Sequence, residues 1–228
     1  METNFEHEIS KRGITRLCHF TKASKLLHIL RNESGIIANS FLDDQLDLLE
    51  KNDENRYDGR EDFVCCSVEY PNTWYLRRIK DNDPVFKEWV VLLINPQLLL
   101  DETTLFCHRN AAANRGAHIK GGFAGFNGMF KNPVFGKTTI YRSEKMLTCC
   151  PTDGQAEVLI HKNISRSDII GIATPTKEHA RKMISRVSLL SDARQDINWI
   201  VSPELFDVNW NNIIRLGRRP METPYIKE

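Results

Sequence analysis

The run Trp89-Val90-Val91-Leu92-Leu93-Ile94 is apolar at every position, rich in β-branched side chains and stopped by Asn95-Pro96. Six such residues without a polar face read as a buried strand. Five further segments carry similar signals: Thr15–Phe20, Phe63–Val68, Thr103–Cys107, Ala156–Ile160 and Ile169–Ala173. A last strand is expected near Trp199–Val201. Helical spacing is clearest in three stretches. Lys22–Arg31 places Leu26, Leu27, Ile29 and Leu30 together, with Thr21 as a candidate N-cap and Gly35 as the stop. Thr73–Ile79 follows Asn72, and Thr176–Leu190 aligns Ala180, Met183, Ile184, Val187 and Leu190. Strands outnumber helices and do not alternate with them. That pattern is α+β, a mixed curved sheet with helices on its flank.

The 228 residues suit one domain, expected over 14–228, after a polar and flexible opening at 1–13. The longest apolar run falls far short of the roughly 20 residues that a bilayer span needs. The opening Met1-Glu2-Thr3-Asn4-Phe5-Glu6 carries no secretory pattern, so a cytoplasmic, membrane-free protein is expected. A formal net charge of +1 hides an uneven distribution. Asp43–Asp62 is acidic and reads as a solvated loop with some helical potential near Leu46, Leu48 and Leu49. Leu105–Lys145 is basic, consistent with a phosphate-facing surface. Six cysteines (Cys18, Cys65, Cys66, Cys107, Cys149 and Cys150) match no zinc spacing. They read as structural thiols, and no metal is expected.

Between His108 and Met146 no regular pattern is visible, and a stretch that long in a compact domain is usually functional. It opens with Arg109, Asn110, Asn114 and Arg115, which can donate to phosphate or base edges. Phe123 and Phe126 follow among glycines, and rings beside cationic side chains suit single-stranded nucleic acid. The other reading is a loop whose phenylalanines enter the core. The glycines of Gly121–Gly128 do not open a helix after a strand in this reading, so they carry no dinucleotide motif. Two polar residues stand where a core is expected. His19 in the first strand is either a satisfied core histidine or a ligand. Glu157 stands at the mouth of an apolar strand, where a carboxylate either faces solvent or has chemical work to do.

Three blocks together carry a resemblance. Cys18-His19-Phe20-Thr21 opening a strand-to-helix unit, Phe63 to Leu76, and Gln155-Ala156-Glu157-Val158-Leu159-Ile160 resemble, in order and spacing, the DarT family of nucleic-acid ADP-ribosyltransferase toxins. The resemblance runs from residue 14 to about 190. It implies a split mixed sheet holding NAD as substrate, and transfer of ADP-ribose to a base in single-stranded DNA. A cognate antitoxin and a role in phage defence go with it. The same chemistry on single-stranded RNA, or a non-catalytic nucleic-acid-binding module, are the alternatives. By the same resemblance Glu157 is catalytic. His19, Phe20 and Thr21 hold the cofactor, and Asn39, Tyr70, Asn72 and Tyr75 are further cofactor or base contacts. The segment His108–Phe130 is the substrate loop, with Arg109 and Arg115 on phosphates and Phe123 or Phe126 on the base. Thymine-modifying members use an arginine just after the second strand. Ser67-Val68-Glu69-Tyr70-Pro71-Asn72 has none, which points towards guanine or adenine.

Overall fold

The computed structural model describes residues 4–42, 57–83, 88–190 and 192–226. The acidic segment's helical potential near Leu46 lies outside them. Trp89–Ile94 forms β4, buried at every position, near the middle of a nine-stranded sheet. Its neighbours are β1 (Leu17–Lys22) on one side and β9 (Ile169–Thr174) on the other. Outward from β9 lie β10 (Asn198–Val201) and β11 (Thr223–Pro224). Outward from β1 lie β3 (Phe63–Val68), β7 (Glu157–His161), β5 (Leu105–Cys107) and β6 (Ile119–Gly121). Within this sheet β9 and β10 run parallel and the other pairs antiparallel, so the sheet is mixed, as expected. A separate ladder joins β2 (Ile36–Ile37) to β8 (Asn163–Ile164).

The sheet is not evenly zipped. Strand β1 pairs with β4 along all six residues, from Leu17↔Ile94 to Lys22↔Trp89. With β3 it pairs only at Leu17↔Val68 and Cys18↔Ser67. Beyond that point β3 continues on its other edge with β7, from Cys66↔Val158 to Phe63↔His161. The two halves of the sheet therefore diverge after Cys18, and a cleft opens between them.

Among the described residues six helices flank the sheet. Residues 4–12, expected to be flexible, form α1 (Asn4–Arg12), because Phe5 finds a ring cluster to join. Its ring lies 4.8 Å from that of Phe126, 5.4 Å from that of Phe123 and 6.0 Å from that of Phe106. Helix α2 (Leu26–Arg31) starts later than its spacing suggested. Thr21 is not its N-cap but lies buried inside β1, and the turn Ala23–Lys25 intervenes. Helix α3 (Thr73–Asn82) starts at Asn72, whose Oδ1 accepts from the Tyr75 N–H. Helix α5 (Lys177–Ser188) is capped by Thr176 and buries Ala180, Met183 and Val187. Helix α6 (Trp210–Arg215) precedes β11.

The glycine-rich stretch departs most from expectation. Gly122–Gly128 is helix α4, and it does follow a strand, β6. Glycine disfavours helix by about 1 kcal/mol per residue relative to alanine. Packing overrides that cost: Phe126 is fully buried, and such a ring contributes roughly 1.5–3 kcal/mol. At Gly125 a Cβ would come within 2.5 Å of the Lys120 carbonyl, so only glycine lets α4 fold back on β6.

Candidate active site

The opening between β1 and β3 is a cleft of about 750 Å³, within the range of small-molecule sites. One wall is Cys18–Thr21, the other Val64–Ser67, with α3 and the loop after β5 closing the ends. His19 spans the gap where the strands part, its Nδ1 donating to the Cys65 carbonyl at 2.8 Å. A carbonyl only accepts, so this bond fixes the tautomer, with the proton on Nδ1. Phe20 packs against Tyr75 and Trp89, which sets the depth of this wall.

Glu157 begins β7, opposite Cys107 of β5, and reaches the cleft half-buried. Its Oε2 accepts from the Ala111 N–H at 2.7 Å and its Oε1 from Asn110 Nδ2 at 3.3 Å. Both donors belong to one tight turn, because Asn110 Oδ1 in turn accepts from the Ala112 N–H. A carboxylate held at both oxygens by one turn has a fixed orientation, as a group that stabilises a developing positive charge requires.

Of the residues singled out in the sequence, His19, Phe20, Thr21, Asn39, Asn72, Tyr75, Asn110 and Glu157 line this cleft together. Asn72 is 3% exposed, and its Nδ2 is a buried donor with no hydrogen-bond partner. Such a donor costs about 1–3 kcal/mol unless a ligand satisfies it. Tyr70 does not belong to the cleft. It is buried against Trp210, and its hydroxyl accepts from Arg219. Desolvation raises its phenol well above the ordinary tyrosine range.

The substrate-loop residues are scattered. Asn114 and Arg115 are exposed and both adopt left-handed backbone conformations, with φ 52°. Phe126 belongs to the core rather than to a stacking surface, and Phe123 packs half-buried on Phe5. Arg109 is turned inward, its side chain 13% exposed and paired with Asp153.

Other cleft residues escaped the sequence reading: Lys25, His28, Trp74, Arg78 and Asn82. The signal was present for α3, where Tyr75, Arg78 and Asn82 recur at helical spacing on one face. The indole of Trp74 is 56% exposed beside them. His28 Nε2 is a second buried polar atom without a partner. Among the described residues no group of three metal-ligating side chains comes together. Burial pushes the thiols up, Cys18 to about 12 and Cys107 to about 11, so both stay protonated at neutral pH. No helix among the described residues is long and apolar enough to cross a membrane.

Solved structures with this architecture exist. The DarT of Thermus sp. 2.9 in complex with NAD+ superposes with a TM-score of 0.55 at 16% identity, over 85% of this chain and 98% of that one. The same protein in complex with ADP-ribosylated single-stranded DNA gives 0.55 at 14% identity, over 86% and 97%. Thermosipho africanus DarTG in complex with ADP-ribose gives 0.54 at 14%, over 84% of this chain and 51% of that one. The chain thus spans about half the length of the Thermosipho relative. No curated protein matches it by sequence. The fold is therefore the ADP-ribosyltransferase fold. A family model described as DarT, ssDNA thymidine ADP-ribosyltransferase, matches residues 18–206 and names DNA and thymidine, against the lean towards guanine or adenine. This chain belongs to that family, the NAD-dependent ADP-ribosyltransferases of single-stranded DNA.

Proposed function

We propose that the cleft between β1 and β3 binds NAD with its nicotinamide ribose against Glu157, and that ADP-ribose passes from there to thymidine in single-stranded DNA. The observation that carries this reading is the convergence of His19 and Glu157, from β1 and β7, on one cleft at the point where the sheet divides. Cleavage of the N-glycosidic bond builds positive charge on the ribose as nicotinamide leaves. The Glu157 carboxylate, oriented by Ala111 and Asn110, accepts from the ribose 2′-hydroxyl and stabilises that charge. His19 and Thr21 hold the cofactor from β1, and the Asn72 amide supplies a donor that has no other partner. The base nitrogen attacks the exposed anomeric carbon and loses its proton.

Thymidine as the target base is supported by the family description. The lack of an arginine between Ser67 and Asn72 carries less weight once Glu69 is located. Its carboxylate binds Thr15 behind the cleft, so a side chain at that position does not face the base. Arg78 lines the cleft instead and offers a guanidinium there. The protein acts in the cytoplasm as a toxin, restrained by an antitoxin that neutralises or reverses the modification, in keeping with its likeness to DarTG.

The test is intact-mass spectrometry after incubation with NAD and single-stranded DNA, duplex DNA or single-stranded RNA, with homopolymer oligonucleotides to read the base. An ADP-ribose increment on thymidine-containing single-stranded DNA, absent with Glu157→Gln, is the expected result. An increment on RNA alone moves the substrate to RNA. No increment and no released nicotinamide would sink the transferase assignment for this chain.

A further inference from the structure

We infer that Arg109 and Asp153 are positioning residues for Glu157, and that the hairpin around Gly136 locks them in place. The inference rests on the catalytic reading of Glu157. The loop after β5 divides its labour between neighbouring residues. Asn110 and Ala111 reach inward to the two oxygens of Glu157. Arg109, one residue earlier, is also turned inward but meets different partners. Its Nε lies 3.3 Å from Asp153 Oδ2, its Nη1 donates to the Thr138 carbonyl at 3.1 Å, and its Nη2 donates to Thr138 Oγ1 at 3.4 Å.

Asp153 completes the circuit. Its Oδ1 accepts from the Gln155 N–H at 2.9 Å and its carbonyl from the Ala156 N–H at 3.0 Å, in the turn that delivers the chain to Glu157. Glu157, Asn110, Arg109, Asp153 and the 153–157 backbone form a closed ring of contacts. The donors to the carboxylate and the strand that carries it are thereby fixed to each other, not merely adjacent. A side chain so used is not available to a DNA phosphate, which was its expected role.

The lid on this ring is the hairpin closed by the Val134↔Ile140 bridge. Gly136 lies against the guanidinium: a Cβ there would fall 1.3 Å from Arg109 Nη1 and 2.3 Å from its Cζ. Any other residue at 136 displaces the end of a flexible side chain without removing a polar group and without backbone strain. Gly136→Ala is therefore a selective perturbation of Arg109.

The experiment measures nicotinamide release with saturating single-stranded DNA, and DNA affinity against salt, for Gly136→Ala, Arg109→Gln, Arg109→Lys and Glu157→Gln, with melting temperatures to show folding. In Gly136→Ala and Arg109→Gln, kcat should fall about tenfold or more, since a misplacement near 1 Å costs up to about a hundredfold. The NAD KM and the salt slope should stay as in the wild type, and Arg109→Lys, which keeps the charge facing Asp153, should recover part of kcat. Unchanged kcat in Gly136→Ala overturns the inference. So does a fall carried by the NAD KM, which would make the ring a cleft wall. A reduced salt slope in Arg109→Gln would return the arginine to phosphate binding. Glu157→Gln separates the two layers: wild-type turnover in that variant removes the catalytic reading of Glu157 itself, whatever the Arg109 variants do.

Discussion

Glu69 and Glu157 each sit at an end of one of the paired strands β3 and β7, on the same side of the opening in the sheet, yet their surroundings differ in kind. Glu69 is 2% exposed and lies behind the cleft. Its oxygens accept from the Thr15 N–H and hydroxyl and approach Arg219, while its carbonyl accepts from Arg16 Nε. Arg16 then pairs with Glu222 and lies over the Tyr70 ring. The cluster ties the tail of the chain to the two-rung β1–β3 ladder. Glu157 is oriented by the Asn110–Ala111 turn and reaches open volume. A carboxylate buried and saturated behind a cleft stabilises a fold; one oriented by a turn and directed towards a cleft is placed for chemistry.

The widest gap between the two should appear in Glu157→Gln, with turnover falling by about 10³-fold or more while stability changes by less than about 1 kcal/mol. Single-turnover assays beside chemical denaturation read both quantities, and a large stability loss would erase the distinction. Glu69→Gln should show the mirror image, a destabilisation of about 2–3 kcal/mol with kcat per folded molecule close to the wild type. Glu222→Gln should cost less, about 1 kcal/mol, because Arg16 keeps its bond to the Glu69 carbonyl. The smallest effect concerns acid. Desolvation lowers both His108, beside the Glu157 loop, and His179, on α5. The unfolded chain then binds protons first as pH falls, so their stabilisation is complete above about pH 6.5 and drains away below it. His179→Gln should flatten that decline, and an unchanged pH profile of stability would exclude His179 as its source.

Much of this arrangement was legible in sequence, and for identifiable reasons. The strand at Trp89–Ile94 and the capped starts of α3 and α5 follow from local pattern and local hydrogen bonds. Glu157 was visible as a carboxylate opening an apolar strand. What escaped depends on contacts distant in the chain. Thr21 resembles an N-cap until β4 claims it as a strand residue. Gly122–Gly128 has the composition of a loop, and the rings of Phe5, Phe106 and Phe130 make Phe126 worth burying in a helix. Arg109 sits in a run of polar residues that suggests a phosphate surface, while its partner Asp153 lies across the site. Tyr70 lies in the second block just after β3, as a cleft residue would, but the left-handed turn at Glu69, φ 62°, sends it to the opposite side.

Helix α1 sets a practical boundary. The family model begins at residue 18 and ends at 206, which invites trimming the chain to that span. Phe5, Arg16, Arg219 and Glu222 all lie outside it. A trimmed protein would bare the Phe106–Phe123–Phe126 rings to water and leave the Glu69 carboxylate without Thr15 and Arg219. Such a fragment would aggregate rather than report on catalysis, so whatever recognises this protein in the cell meets a catalytic unit larger than its family signature.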